Sequence, residues 1–191
     1  MNSTKESGYS FGMLAIEVIS IVFGVFLALA ANEWRQQYND QKKAEIAFEG
    51  IKNEMNSNKE FIEKRLPYYR AMRDTIKIIL SQKGRDVGFN EVEIPGFHGI
   101  NPPLLRDSAL QTAISTQAFA NFDFRLANKI SLVYSFQENY IKWVDNYMNA
   151  FIGSESPKLR KVYSLFSEIA QVGEELAETY GQMAAINQFP R

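Results

Sequence analysis

From Phe11 to Trp34 the chain reads FGMLAIEVISIVFGVFLALAANEW, and between Gly12 and Ala31 only Glu17 carries a charge. About 20 helical residues, each rising 1.5 Å, cross a hydrocarbon core roughly 30 Å thick. The run predicts one membrane-spanning helix over residues 11–34, after a short polar tail over residues 1–10. Beyond it the apolar positions become periodic. Ala44, Phe48, Ile51, Met55, Ile62 and Leu66 fall on one helical stripe, so the helix is expected to leave the membrane unbroken as the first rod of a helical domain. Pro67 interrupts or kinks it, and residues 68–82 suit a second helix. In residues 83–106 Gly84, Gly88, Pro95, Gly96, Gly99, Pro102 and Pro103 forbid a long helix, leaving only FNEVEI for a short extended segment. Asp107 suits an N-cap for a short helix, DSALQTAISTQAF. A longer helix is predicted over 123–152, with Leu126, Ile130, Val133, Gln137, Tyr140, Val144, Met148 and Phe151 on its stripe. Gly153 and Ser154 break the pattern. Ser156 then reads as an N-cap with Pro157 at the first helical position of a last helix reaching residue 186. The predicted fold is all-α: one N-terminal transmembrane helix continuing into an antiparallel bundle of three to four helices over 35–191, with one long Gly/Pro-rich loop over 83–106.

The predicted span has a patterned side. Glu17, Ser20, Gly24, Ala28 and Ala31 follow at steps of three or four and share one face, while Ile16, Ile19, Val22, Phe23, Phe26 and Leu27 cover much of the rest. Lipid tails give helices no hydrophobic reason to associate, so close approach of small residues must supply it. This face predicts a partner helix, set against a solitary anchor with ordinary Gly and Ala content. Glu17 costs on the order of a few kcal/mol at that depth unless it is protonated, paired or facing water. Three roles fit it: snorkelling to the headgroups, hydrogen bonding across a helix interface, or a place in a proton or ion path. Tyr9, Asn32, Trp34 and Arg35 flank the run as membrane-interface anchors.

Glu17, Gly24, Ala28, Asn32 and Trp34 form E-x6-G-x3-A-x3-N-x-W. This resembles the N-terminal anchor of a bacterial family of small single-pass membrane proteins of uncharacterised function. Ile51, Glu54 and Asn58 in IKNEMNSN, and the stretch from Asp107 to Gln137, are similar to later parts of that family. The resemblance implies an architecture and no reaction. It also bears on orientation. Lys5 on one side against Arg35, Lys42 and Lys43 on the other slightly favours a cytoplasmic domain. The resemblance implies the opposite, so the expectation is the bacterial inner membrane with a periplasmic helical domain.

Ala28-Leu29-Ala30 matches a signal-peptidase site, but the apolar run is long for a signal sequence and Glu17 interrupts it, so a retained anchor is expected. The formal net charge of −1 makes no case for nucleic acid as a partner. The distribution is uneven: residues 35–85 hold 12 Lys or Arg against 7 Asp or Glu, and residues 86–191 hold 8 against 12. A basic surface for anionic headgroups or an acidic partner competes with the plainer reading, a basic half facing its own acidic half.

With no cysteine, disulfides, thiolate metal sites and a Cys nucleophile are unavailable. His98 is the only histidine and lies in the loop, which leaves no paired E-x-x-H for a di-iron bundle and no base for a Ser triad. Glu174, Glu175 and Glu178 read as a solvated acidic face. The aromatic stripe of residues 123–152 reads as core rather than cofactor box. No catalytic, cofactor-binding or metal residue is expected. Phe89, Phe97 and His98 are the contact candidates should the loop grip a ligand or partner. Two function classes follow: a structural or accessory subunit that packs on other transmembrane helices in a bilayer, as a homo-oligomer or in a larger complex, and a membrane-anchored sensor or ligand-binding bundle. The second ranks lower, since only the short polar tail is expected to precede the anchor.

Overall fold

A computed structural model of the protein describes residues 11–84, 86–153, 157–186 and 189. Its regular elements are helical: α1 (Phe11–Glu63), α2 (Leu66–Lys83), α3 (Ser108–Ser115), α4 (Phe124–Ile152) and α5 (Leu159–Ala184), with 3-10 turns at Phe89–Glu91 and Ala118–Asn121. Among the described residues extended pairing is confined to one isolated bridge, between Gly88 and Lys158. The chain divides into two compact units, Met1–Lys43 and Ala44–Arg191.

In the first unit the described part is the opening stretch of α1. Every residue from Gly12 to Asn39 is exposed. An 18-residue window here reaches a mean hydropathy of 2.5 with none of it buried, so by length and composition the helix is able to cross a membrane. The polar tail over residues 1–10, Tyr9 included, lies outside the described residues.

In the second unit the predicted stripes are the core. Ala44, Phe48, Ile51, Met55 and Ile62 of α1 are all buried, as are Leu126, Ile130, Val133, Tyr140 and Val144 of α4. Pro67 has no N–H to continue the helix and sits in the first turn of α2, so α1 ends at Glu63 and the chain turns through Lys64 and Arg65. Asp123 caps α4: its carboxylate accepts from the N–H groups of Arg125 and Leu126 at 2.9 and 3.2 Å. Helix α5 packs against both α2 and α4. Gly173 marks its tightest approach, since a Cβ there would lie 3.3 Å from Ile62 Cγ2 and 3.4 Å from the Tyr140 hydroxyl.

Three local expectations change. Helix α5 begins at Leu159, two residues after Pro157, because this backbone is already engaged: Phe89 N–H donates to Pro157 C=O at 2.8 Å and Leu159 N–H to Val87 C=O at 2.9 Å. The proposed cap, Ser156, lies outside the described residues. FNEVEI is not an extended segment throughout, since it opens with the 3-10 turn Phe89–Glu91 and the pairing falls one residue earlier, at Gly88. Asp107 occupies the position before α3 without capping it; its carboxylate accepts from Gln111 Nε2 at 3.4 Å.

Replacing Gly173 with Leu is expected to destabilise the helical unit by about 1–3 kcal/mol through overpacking. Thermal unfolding of the detergent-solubilised protein, followed by circular dichroism, reads this as a lowered Tm; an unchanged Tm would show that α5 has room to spare.

Candidate functional site

The first candidate is the small-residue face of α1. Glu17, Ser20, Gly24, Ala28 and Ala31 lie on one helix at steps of three and four, so they share a side, and all are exposed. A Cβ built on Gly24 meets nothing within 4 Å. At the end of the apolar run Trp34 is exposed, and Arg35 Nη2 donates to Asn32 Oδ1 at 3.5 Å.

The second candidate lies in the helical unit and was not singled out from the sequence as a site. Glu54 and Asn58 sit on the buried side of α1, beside Ile51, Met55 and Ile62. A buried carboxylate must find donors or bear a heavy desolvation cost. Glu54 Oε2 accepts from Ser108 Oγ at 2.7 Å and Ala109 N–H at 2.9 Å, while Oε1 accepts from the Tyr134 hydroxyl at 2.7 Å. A side chain of α1 thus does for the N-terminus of α3 what Asp107 does not, satisfying a free N–H where the helix dipole favours negative charge.

One turn further along α1, Asn58 pairs with both backbone groups of Arg106. Its Oδ1 accepts from Arg106 N–H at 2.9 Å, and its Nδ2 donates to Arg106 C=O at 2.7 Å and to Gln137 Oε1 at 3.2 Å. Gln137 Nε2 donates to the same carbonyl at 3.1 Å, and its Oε1 accepts from the Tyr180 hydroxyl of α5. The set joins α1, the end of the long loop, α3, α4 and α5. Among the described residues no buried side-chain nitrogen or oxygen lacks a partner. The stretches IKNEMNSN and Asp107–Gln137 meet here.

The sequence held a signal for this. Asn58 continues the stripe of Ile51, Met55 and Ile62 at helical steps, and Gln137 sits on the apolar stripe of α4, so both are polar residues at core positions. Burial pushes the Tyr134 hydroxyl well above its ordinary titration range, and its bond to the Glu54 carboxylate and that charge push it further. Tyr180 is raised chiefly by burial, against a lowering from its hydrogen bond with Asn58. Outside this set, a cleft of about 460 Å³ has Tyr134 and Gln137 in its lining, with Asp107, Gln111, Ser131 and Glu138 among its polar groups.

The loop candidates separate. Phe89 and Phe97 turn inward: Phe89 lies edge-on to Phe151 and Phe97 edge-on to Phe166, with centroids 5.2 and 6.3 Å apart. Their rings serve the unit's own core. His98 stays exposed but stacks on Tyr68 with centroids 4.1 Å apart, and its Nδ1 lies 3.0 Å from Asn101 Nδ2. Tyr68 donates to Gly99 C=O, while Tyr69 and Arg65 both donate to Asn101 C=O. Asn101 itself holds a left-handed φ of 47°. This end of the loop is fastened to the start of α2. Among the described residues no group of three or more His, Cys, Asp or Glu is placed to hold a metal ion.

Two measurements test the buried set. Glu54→Ala strands three donors and is expected to cost about 3–5 kcal/mol, whereas Glu54→Gln keeps an acceptor for Ser108 and Ala109 and is expected to cost about 1–2 kcal/mol. Equal, small losses in chemical unfolding would mean that the set does not hold the elements together. Burial raises Tyr69, Tyr140 and Tyr180, as it does Tyr134, so each favours the folded state fully below the ordinary tyrosine value of about 10 and loses that contribution as pH rises beyond it. An ultraviolet titration is therefore expected to show a late tyrosine class that ionises together with alkaline unfolding. Ionisation of all tyrosines near pH 10 without unfolding would contradict it. No family model, curated protein or solved structure matches the chain, so its functional reading rests on these residues.

Proposed function

We infer that this protein is a non-enzymatic, single-pass membrane protein that serves as a structural or accessory subunit of a membrane assembly. One observation carries the reading: an apolar helical stretch in which every residue from Gly12 to Asn39 is exposed. Exposed apolar surface on that scale needs cover from lipid, protein or both. Its narrow face of Glu17, Ser20, Gly24, Ala28 and Ala31 suits close approach of a second helix, in a homo-oligomer or a larger complex, with Glu17 hydrogen-bonded across the contact. Asn32, Trp34 and Arg35 suit the headgroup level at the end of the span, and Tyr9 is assigned to its start. The body, read as an antiparallel bundle of three to four helices with its long loop, presents the surface that a partner meets. Localisation to a bacterial inner membrane with a periplasmic domain belongs to the same proposal. It has no nucleic-acid partner and needs no cofactor.

A second reading is favoured by the cleft lined by Tyr134 and Gln137. Its volume falls within the range of small-ligand sites. A ligand there would touch side chains that hold Glu54 and Asn58, as a membrane-anchored sensor requires.

Mass measurement after gentle detergent extraction discriminates the two. The subunit reading expects a stable assembly larger than one chain, and Gly24→Leu with Ala28→Leu is expected to weaken it about tenfold, a loss of roughly 1–2 kcal/mol of helix association. Glu17→Leu is expected to weaken it as well, with Glu17→Gln retaining more. A lone chain carrying a bound metabolite supports the sensor, and normal assembly of all these variants would sink the interface.

A further inference from the structure

The excess of positive charge over residues 35–85 is only partly met by the acidic half. Among the described residues one ion pair joins the two halves, Arg70 with Glu174 at 2.8 Å. Lys43, Lys52 and Lys59 pair with carboxylates three or four residues away on their own helix. One place gathers three of the cations of residues 35–85. Arg70, Arg73 and Lys77 follow at steps of three and four on α2, so they form a single basic edge. Facing them, α5 carries Tyr163, Ser167 and Gln171 at steps of four. Together they line a groove of about 440 Å³, with the buried Ala170 also in its lining.

The charges in the groove are three cations against the carboxylates of Asp74 and Glu174. Neither carboxylate uses up its arginine. Glu174 meets Arg70 through Nη2, and Asp74 meets its chain neighbour Arg73 through Nε at 2.8 Å. A guanidinium has five N–H donors in a planar fork, so each keeps donors for another anion. Lys77 makes no ion pair within 4 Å among the described residues, and the Tyr163 hydroxyl makes no hydrogen bond there. Both surface pairs are individually weak and exchangeable. Several donors converging from two helices, with positive charge in excess, match an oxyanion with several acceptor oxygens better than a cation or an apolar ligand.

We propose that the groove between α2 and α5 binds a phosphate group through Arg70, Arg73, Lys77 and the Tyr163 hydroxyl. The phosphate comes either from a soluble ligand or from a lipid headgroup. This site shares no residue with the small face of α1 or with the cleft at Tyr134, so it stands whichever of the two functional readings holds.

The test uses the full-length protein in detergent micelles. Inorganic pyrophosphate is titrated calorimetrically, and phosphatidic acid is compared with phosphatidylcholine by native mass spectrometry. The wild-type chain is expected to bind pyrophosphate, phosphatidic acid in preference to phosphatidylcholine, or both. The first result alone marks a soluble ligand, the second alone a headgroup. Arg73→Gln with Lys77→Gln is expected to weaken that binding about tenfold or more, and Tyr163→Phe about threefold. An unchanged circular dichroism spectrum and Tm establish that the variants fold. Should the double variant unfold, Tyr163→Phe decides, because it removes one oxygen only. The proposal is overturned if neither probe binds, if phosphatidic acid shows no preference and pyrophosphate no heat, or if the folded variants bind as the wild type does.

Discussion

A carboxylate removed from water requires donors, and Glu54 obtains them from two helices other than its own. Serine hydroxyl, backbone N–H and tyrosine hydroxyl converge on its two oxygens, fixing α3 and α4 against α1 at once. Asn58 extends the same constraint to the loop end and Gln137 passes it to Tyr180 of α5. Apolar contacts tolerate sliding, because any oily neighbour serves nearly as well as another. Hydrogen bonds in a low-dielectric interior do not, and a partly satisfied polar set is worse than none. The stripes of leucine, isoleucine and phenylalanine collapse the helical unit; the polar set selects which collapsed arrangement survives.

The first unit presents a different surface. Its apolar residues face outward on every side, where a soluble helix would show a polar back. The distinction between its faces is therefore size rather than polarity. Branched and aromatic side chains fill one arc, and hydrogen, methyl and hydroxymethyl groups the other, with Glu17 as the single charged exception. A helix of this kind is finished by its surroundings. The helical unit, by contrast, satisfies its buried polar side-chain atoms internally among the described residues. The two units reveal function unevenly: one advertises an unfilled requirement, while the other offers grooves around a closed interior.

Periodicity was a reliable guide to which residues face inward. The residues placed on the first stripe, from Ala44 to Leu66, are all buried, and helical steps along α5 likewise bury Leu159, Val162, Phe166, Ile169, Leu176, Tyr180 and Met183. What periodicity cannot supply is a partner. Asn58 and Gln137 could be seen as polar residues in apolar company, yet nothing in their local sequence says that they meet each other 79 positions apart. The same blindness explains the start of α5: a proline after a serine favours a helix beginning there, and the pairing with residues 87–89 outweighs that local preference. In the long loop, Phe89 and Phe97 sit among glycines that give no periodic frame, so the sequence did not disclose which way they point. The groove at Arg70 was half legible. Its basic edge lies in the count of charges, but the hydroxyl and amide opposite come from a helix about ninety residues later.

The separation of the polar partners along the chain has a consequence for biosynthesis. The apolar run of α1 is able to enter a bilayer soon after it is made, since its requirement is local and immediate. Glu54 and Asn58 follow within a few dozen residues, but their acceptors and donors lie 48 to 80 positions downstream. At ordinary rates of elongation Gln137, the last of these partners, is made several seconds to roughly fifteen seconds after α1 is complete. Throughout that interval these two side chains must stay hydrated, which keeps the emerging helix from collapsing onto early, incorrect apolar neighbours. The groups that lock the finished unit thus keep their water until α4 has been made.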